Sequence, residues 1–146
     1  MDRRRLASRV LRVVGFVLLA VAGIHLSVTS VLRQTILDRV LTDDMLPIVA
    51  PPFVLNHVVV GLLLIPLGLV TIYGAAGVRA GERWAWVISW FVGASLMTLP
   101  VALVLIMRGG MFDALPFRVA EILVTLSAVA MPAALIWARG EFSESQ

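Results

Sequence analysis

The chain contains no cysteine and no lysine. Without thiols there is no disulfide, thiolate-bound metal, iron–sulfur cluster or cysteine nucleophile. Without lysine there is no Schiff-base chemistry on a side-chain amine. Charge is scarce as well: charged residues make up 14% of the 146, against 60% hydrophobic. With a mean hydropathy of +1.00, too little polar surface is available to clothe a soluble domain of this size. Only two histidines occur, His25 and His57, so any site built on imidazole draws on that pair.

What the sequence has in quantity is hydrocarbon. Apolar runs cover residues 11–29, 53–76, 84–107 and 115–138. About 20 helical residues, rising about 1.5 Å each, cross a bilayer's hydrocarbon core, so each run is long enough to span it. The expected fold is all-α: an integral membrane four-helix bundle in which residues 1–146 form a single transmembrane domain. The Arg-rich start followed by an apolar run and Ala20-Val21-Ala22 also has the form of a cleavable signal peptide. The apolar stretch continues through Ile24, Leu26 and Val28, which favours a retained span.

Arginine sets the orientation. Arg3, Arg4, Arg5, Arg9, Arg12, Arg79, Arg83 and Arg139 fall on one side of the spans, and Arg33, Arg39, Arg108 and Arg118 on the other. The positive-inside rule places both termini in the cytoplasm, in the inner membrane of a bacterium. Trp84, Trp86, Trp90 and Trp137 fall near the same interface, as an aromatic belt would. The sequence pI near 11.0 is then a matter of membrane orientation, and no nucleic-acid partner is expected. The partner is the lipid bilayer, with a membrane-complex subunit or a second copy of the chain as further candidates.

The one long loop, "SVLRQTILDRVLTDDMLPIVAPP", carries Ile36, Leu37, Val40 and Leu41 on one helical face. It reads as a short amphipathic helix on the outer leaflet, ended by Pro47, Pro51 and Pro52 ahead of the second span. Pro66, Pro100 and Pro132 each interrupt one span and read as ordinary transmembrane kinks. Met107 and Met111, flanking an outer loop, make a weak copper signal.

Within the spans, polar residues are few enough to place individually. By rise per residue, His25 lies about 20 Å from the cytoplasmic edge, while His57 and Glu121 lie about 6 Å and 9 Å below the outer one. Three helices therefore bring His, His and Glu to a similar level. At 100° per residue, His57 shares a face with Gly61, Leu64, Gly68 and Thr71, opposite Val59, Leu62 and Leu63. Small residues line close helix contacts in membranes, so the His57 face is expected inward. Glu121 shares its face with Thr125, Ala128 and Pro132. For His25 the signal is divided, because bulky Val14, Leu18 and Val21 share its face while Ala20, Gly23 and Ser27 lie opposite.

These positions define a candidate ligand-binding pocket of His25, Asn56, His57 and Glu121, with Arg118, one turn before Glu121, as a possible ion-pair partner. His25, His57 and Glu121 could form a three-ligand site for a divalent metal. The two histidines could instead ligate a b-type haem, or histidine and glutamate could hydrogen-bond a quinone. A purely structural reading, a polar tie between helices in an accessory or interaction subunit, uses the same residues. No motif assigns an enzymatic reaction or substrate.

The layout "RVLRVVGFVLLAVAGIHL" followed by three more spans and "GERWAW" resembles small bacterial four-helix membrane proteins of the DoxX-like type. That resemblance covers the general plan of most of the chain. It implies a quinone-linked oxidoreductase subunit as one expectation and carries no site residue with it.

Overall fold

The computed structural model describes residues 2–32, 41–107 and 115–142. It is all-helical, with α1 at Arg3–Leu32, α2 at Leu46–Ala80, α3 at Arg83–Met107 and α4 at Leu115–Trp137, followed by a single 3₁₀ turn at Arg139–Phe142. All four helices are long and apolar enough to cross a membrane. The amphipathic segment expected after α1 has Ile36, Leu37 and Val40 outside the described residues, while Leu41 is a half-buried bend residue. Met111 also lies outside them.

The second helix departs from expectation. It begins at Leu46, seven residues before the apolar run, and passes through Pro47, Pro51 and Pro52. Its start is fixed by the Thr42 carbonyl, which accepts hydrogen bonds from the amides of Met45 and Leu46 at 2.9 Å each. Pro47 stands in the first turn, where a backbone N–H has no intrahelical partner to lose. Pro51 and Pro52 remove two ladder bonds but leave φ helical, so the helix is thinned there without being ended. Pro66, Pro100 and Pro132 likewise sit inside continuous helices.

The chain packs as two compact units, one of Met1–Val17 with Leu67–Gln146 and the other of Leu18–Pro66. The first is a four-helix bundle. Its core is apolar and small where helices meet: Ala7, Leu11, Ala75, Val78, Ala85, Leu96, Ala128, Met131 and Leu135 are all fully buried. Between α1 and α2, the buried Ser8 hydroxyl donates to the Ala75 carbonyl at 2.7 Å. Because α2's own ladder still uses that carbonyl, Ser8→Ala should lower stability by only about 0.6 kcal/mol, and by about 1.7 at most. Reversible unfolding in detergent measures the difference.

The turn between α2 and α3 explains their antiparallel packing. Gly81 has φ +83°, a left-handed conformation that favours glycine. The Glu82 amide donates to the Gly77 carbonyl at 2.9 Å and the Gly81 amide to the Val78 carbonyl at 3.2 Å, the bond pair of a Schellman cap. One residue later α3 begins. Its Trp86 indole N–H reaches across to the Leu135 carbonyl of α4 at 3.2 Å. Arg4 Nε pairs with Glu141 Oε2 at 3.3 Å, and the Arg3 guanidinium lies 6.0 Å from the Trp137 ring. The start of α1, the α2–α3 turn and the end of α4 therefore share one end of this unit, together with most of the arginines.

Several hydroxyls within the apolar helices satisfy themselves locally. Thr71 bonds the Leu67 carbonyl, Ser95 that of Phe91 and Ser127 that of Leu123, each one turn back on its own helix. Such back-bonding lets a hydroxyl sit in a span without an external partner.

Candidate functional site

The second unit, formed by the later part of α1 and the earlier part of α2, is where the two histidines meet. Gly61 brings the helices together. A Cβ built there would stand 3.0 Å from Leu26 Cγ and 3.2 Å from His25 Cβ, so only glycine fits without displacing α1 side chains. His57 lies one turn before Gly61 on the same face of α2. The close approach therefore delivers the two imidazoles to each other, stacked with ring centroids 4.1 Å apart and planes 19° from parallel.

On α2, His57, Gly61 and Leu64 are buried, while Leu62 and Leu63 are more than half exposed. The small-residue rule holds on this helix. On α1 it does not: Leu18, Val21 and Ala22 are buried beside the half-buried His25, and Ala20, Gly23 and Ser27 are exposed. The bulky side of α1 packs, because a single glycine on the partner helix is enough to admit it. Thr29 donates to the His25 carbonyl at 2.9 Å, one turn along α1. Asn56 is exposed, so it stands off the packing face that its neighbour His57 occupies.

Glu121 and Arg118 lie on α4, in the other unit. Glu121 is half-buried on the face that buries Ala128, as its spacing predicts. Its Oε2 is shielded from solvent and accepts no hydrogen bond from any described residue. A shielded carboxyl oxygen without a donor is unfavourable, and a bound donor or cation would relieve it. Arg118 itself is exposed. The structure thus brings His25 and His57 together in one unit and puts Glu121 and Arg118 in the other. Within each unit, no three His, Cys, Asp or Glu side chains among the described residues gather as a metal site would.

The stack limits the chemistry of the pair. An imidazole lone pair lies in the plane of its ring and bonds a metal at about 2.0–2.1 Å. Two nearly parallel rings 4.1 Å apart hold their lone pairs in two separate planes, so these do not converge on an ion between the rings. A porphyrin between two axial imidazoles also needs the rings on opposite sides of the iron, each with an edge toward it. In the observed arrangement the two rings instead lie face to face. An imidazole carries both an N–H donor and a nitrogen acceptor, so the pair offers polar partners to a group bound beside the stack.

Sequence reasoning identified Gly61 as a packing glycine without the role it has here, which is to set the imidazole separation. Its position one turn after His57 was the available signal. Compared with known proteins, the chain matches no family model, no curated protein and no solved structure.

Proposed function

We propose that this chain is a multi-pass protein of a bacterial inner membrane, with both termini in the cytoplasm, that binds a lipophilic ligand of quinone type through His25 and His57. The observation that carries the reading is the imidazole stack itself. It places one buried and one half-buried ring face to face in a unit otherwise walled by Leu, Val and Ala. A quinone offers carbonyl acceptors on a flat ring and a tail soluble in hydrocarbon, which suits a small polar feature in an apolar wall. The DoxX-like resemblance points to the same ligand class. Orientation rests on the clustered arginines, which the positive-inside rule assigns to the cytoplasmic face, and bacterial location on the DoxX-like resemblance.

The test uses purified protein in an uncharged detergent and a short-chain ubiquinone analogue. Saturable thermal stabilisation is expected for the natural sequence. Each of His25→Leu and His57→Leu should weaken binding about tenfold, the equivalent of one lost hydrogen bond of about 1.4 kcal/mol. Unchanged binding in both variants would remove the histidines from the proposal. A Soret band lost in both would select haem, and bound metal lost on Glu121→Gln would select the metal site.

A second reading has its own observation. Ala20, Gly23 and Ser27 form an exposed line of small residues on α1, and a Cβ at Gly23 would have no atom within 4 Å. Such a line admits a close neighbouring helix, as in an accessory subunit or a homo-oligomer. Under that reading Gly23→Leu disrupts assembly in the membrane while the isolated chain melts as before.

A further inference from the structure

The end of the four-helix unit that holds the start of α1 carries a second feature, made of charge. Arg5, Arg9 and Arg12 recur along one side of α1 and, with Arg79 from the end of α2, surround a cavity of about 130 Å³. Ser8 forms its floor, held in place by its bond to the Ala75 carbonyl. No carboxylate lines it. The ion pairs near this end engage other side chains or only part of the cluster: Arg4 takes Glu141, and Arg5 takes Asp2 at 2.9 Å on the exposed side. Among the described residues, Arg9, Arg12 and Arg79 form no ion pair. Four arginines and no carboxylate line one small cavity, so positive charge is concentrated there and an anion is the natural relief.

Arg9 belongs to a second cavity as well. This one, about 430 Å³, runs as a groove between α1 and α4, walled by Val13, Val14 and Val17 on one side and Leu123, Leu126 and Ala130 on the other. Its volume falls within the range of about 300–1,000 Å³ typical of small-molecule sites. Ser127 is the one hydroxyl in the wall, and it is turned to the Leu123 carbonyl of its own helix. From Arg9 to Val17 the groove descends about 12 Å along α1, close to the depth of one leaflet's hydrocarbon, about 15 Å. Charge at the top and hydrocarbon below, meeting at Arg9, match the two ends of a phospholipid.

We infer that Arg5, Arg9, Arg12 and Arg79 form a binding site for the phosphodiester headgroup of an anionic phospholipid, one acyl chain of which lies in the groove between α1 and α4. Basic pockets between transmembrane helices bind acidic headgroups in this way, with each arginine adding to the attraction. The site lies in the other unit from the histidine pair and does not depend on the quinone reading.

Protein exchanged into an uncharged detergent should be titrated with phosphatidylglycerol, or with phosphatidylcholine of the same acyl chains, and the complexes counted by native mass spectrometry. Phosphatidylglycerol should bind at least tenfold more tightly than phosphatidylcholine. Arg9→Gln, Arg12→Gln and Arg79→Gln should each weaken it about fivefold, while Arg139→Gln, outside the cavity, should not. Val13 and Leu126 are 62% and 60% exposed, so Val13→Trp and Leu126→Trp can occupy the groove without entering the core. Both should weaken phosphatidylglycerol while leaving the arginines intact. Equal affinity for the two lipids, or indifference to the arginine changes, overturns the site. Binding that survives both tryptophans and is displaced by glycerol phosphate at matching concentration overturns the lipid assignment in favour of a free-anion site.

Discussion

Gly15→Val should destabilise the four-helix unit by about 3 kcal/mol or more, beyond the ordinary range of about 1–3 kcal/mol for overpacking. A single Cβ at Gly15 would stand 2.5 Å from Ile72 Cγ1, 2.8 Å from the Gly68 carbonyl oxygen and 3.1 Å from the Ile72 amide nitrogen. Two of those three atoms are α2 backbone, which cannot swing aside as a side-chain tip can. Valine adds two methyls to that clash, so α1 and α2 must separate. Separation would stretch the Ser8–Ala75 hydrogen bond two turns away. The comparison is Gly23→Ala, where the added methyl meets nothing within 4 Å and helix propensity favours alanine by about 1 kcal/mol. Unfolding both variants reversibly in detergent should give losses on one side and a small gain on the other. Equal midpoints for the two would show that the α1–α2 contact at Gly15 is not the close one described.

The contrast between those glycines also shows where sequence is informative. Four apolar runs were enough to find four helices, because the length needed to cross hydrocarbon is a strong constraint. Helix ends were weaker. Pro47, Pro51 and Pro52 read as a stop, yet the helix begins at Leu46: Pro47 falls in the first turn, which needs no amide donors, and Pro51 and Pro52 remove ladder bonds without ending the helix. Facing was legible on α2, where Gly61 and His57 share a side, and ambiguous on α1. There the small residues Ala20, Gly23 and Ser27 turn outward, since only one of two packed helices needs to supply the small residue.

Depth along the spans placed His25 and His57 at similar levels, but no sequence pattern fixes a ring separation of 4.1 Å. That distance is set by a glycine on one helix meeting two side chains on the other. Asn56 shows the limit of adjacency: neighbours in a helix point about 100° apart, so being next to His57 in sequence takes it away from His57's contacts. The arginine cavity went unread for a different reason. The spacing of Arg5, Arg9 and Arg12 along one helical side was visible, but arginines near a span end are ordinarily explained by orientation, and Arg79 joins them only through the packing of α2 on α1.

Orientation itself offers an all-or-none measurement, because the chain has no cysteine to interfere with labelling. Asp43 is exposed in the turn before α2 and Ala80 is exposed at its other end. In intact bacterial cells, Asp43→Cys should react with a membrane-impermeant maleimide, while Ala80→Cys should react only after the membrane is permeabilised. The physical ground is the gathering of Arg3, Arg4, Arg5, Arg9, Arg12 and Arg79 at one end, held by the Arg4–Glu141 pair and the Arg3–Trp137 contact. Carrying one charge across a potential of 100 mV involves about 2.3 kcal/mol, and the bias grows with every arginine on that side. Replacing Arg3, Arg4, Arg5, Arg9 and Arg12 together with Gln should therefore produce a mixed population, with both cysteines partly accessible from outside. Uniform external labelling of Ala80→Cys in the otherwise natural sequence would invert the proposed topology. It would also move the phospholipid site to the outer leaflet, which ties the orientation to the ligand chemistry of that end.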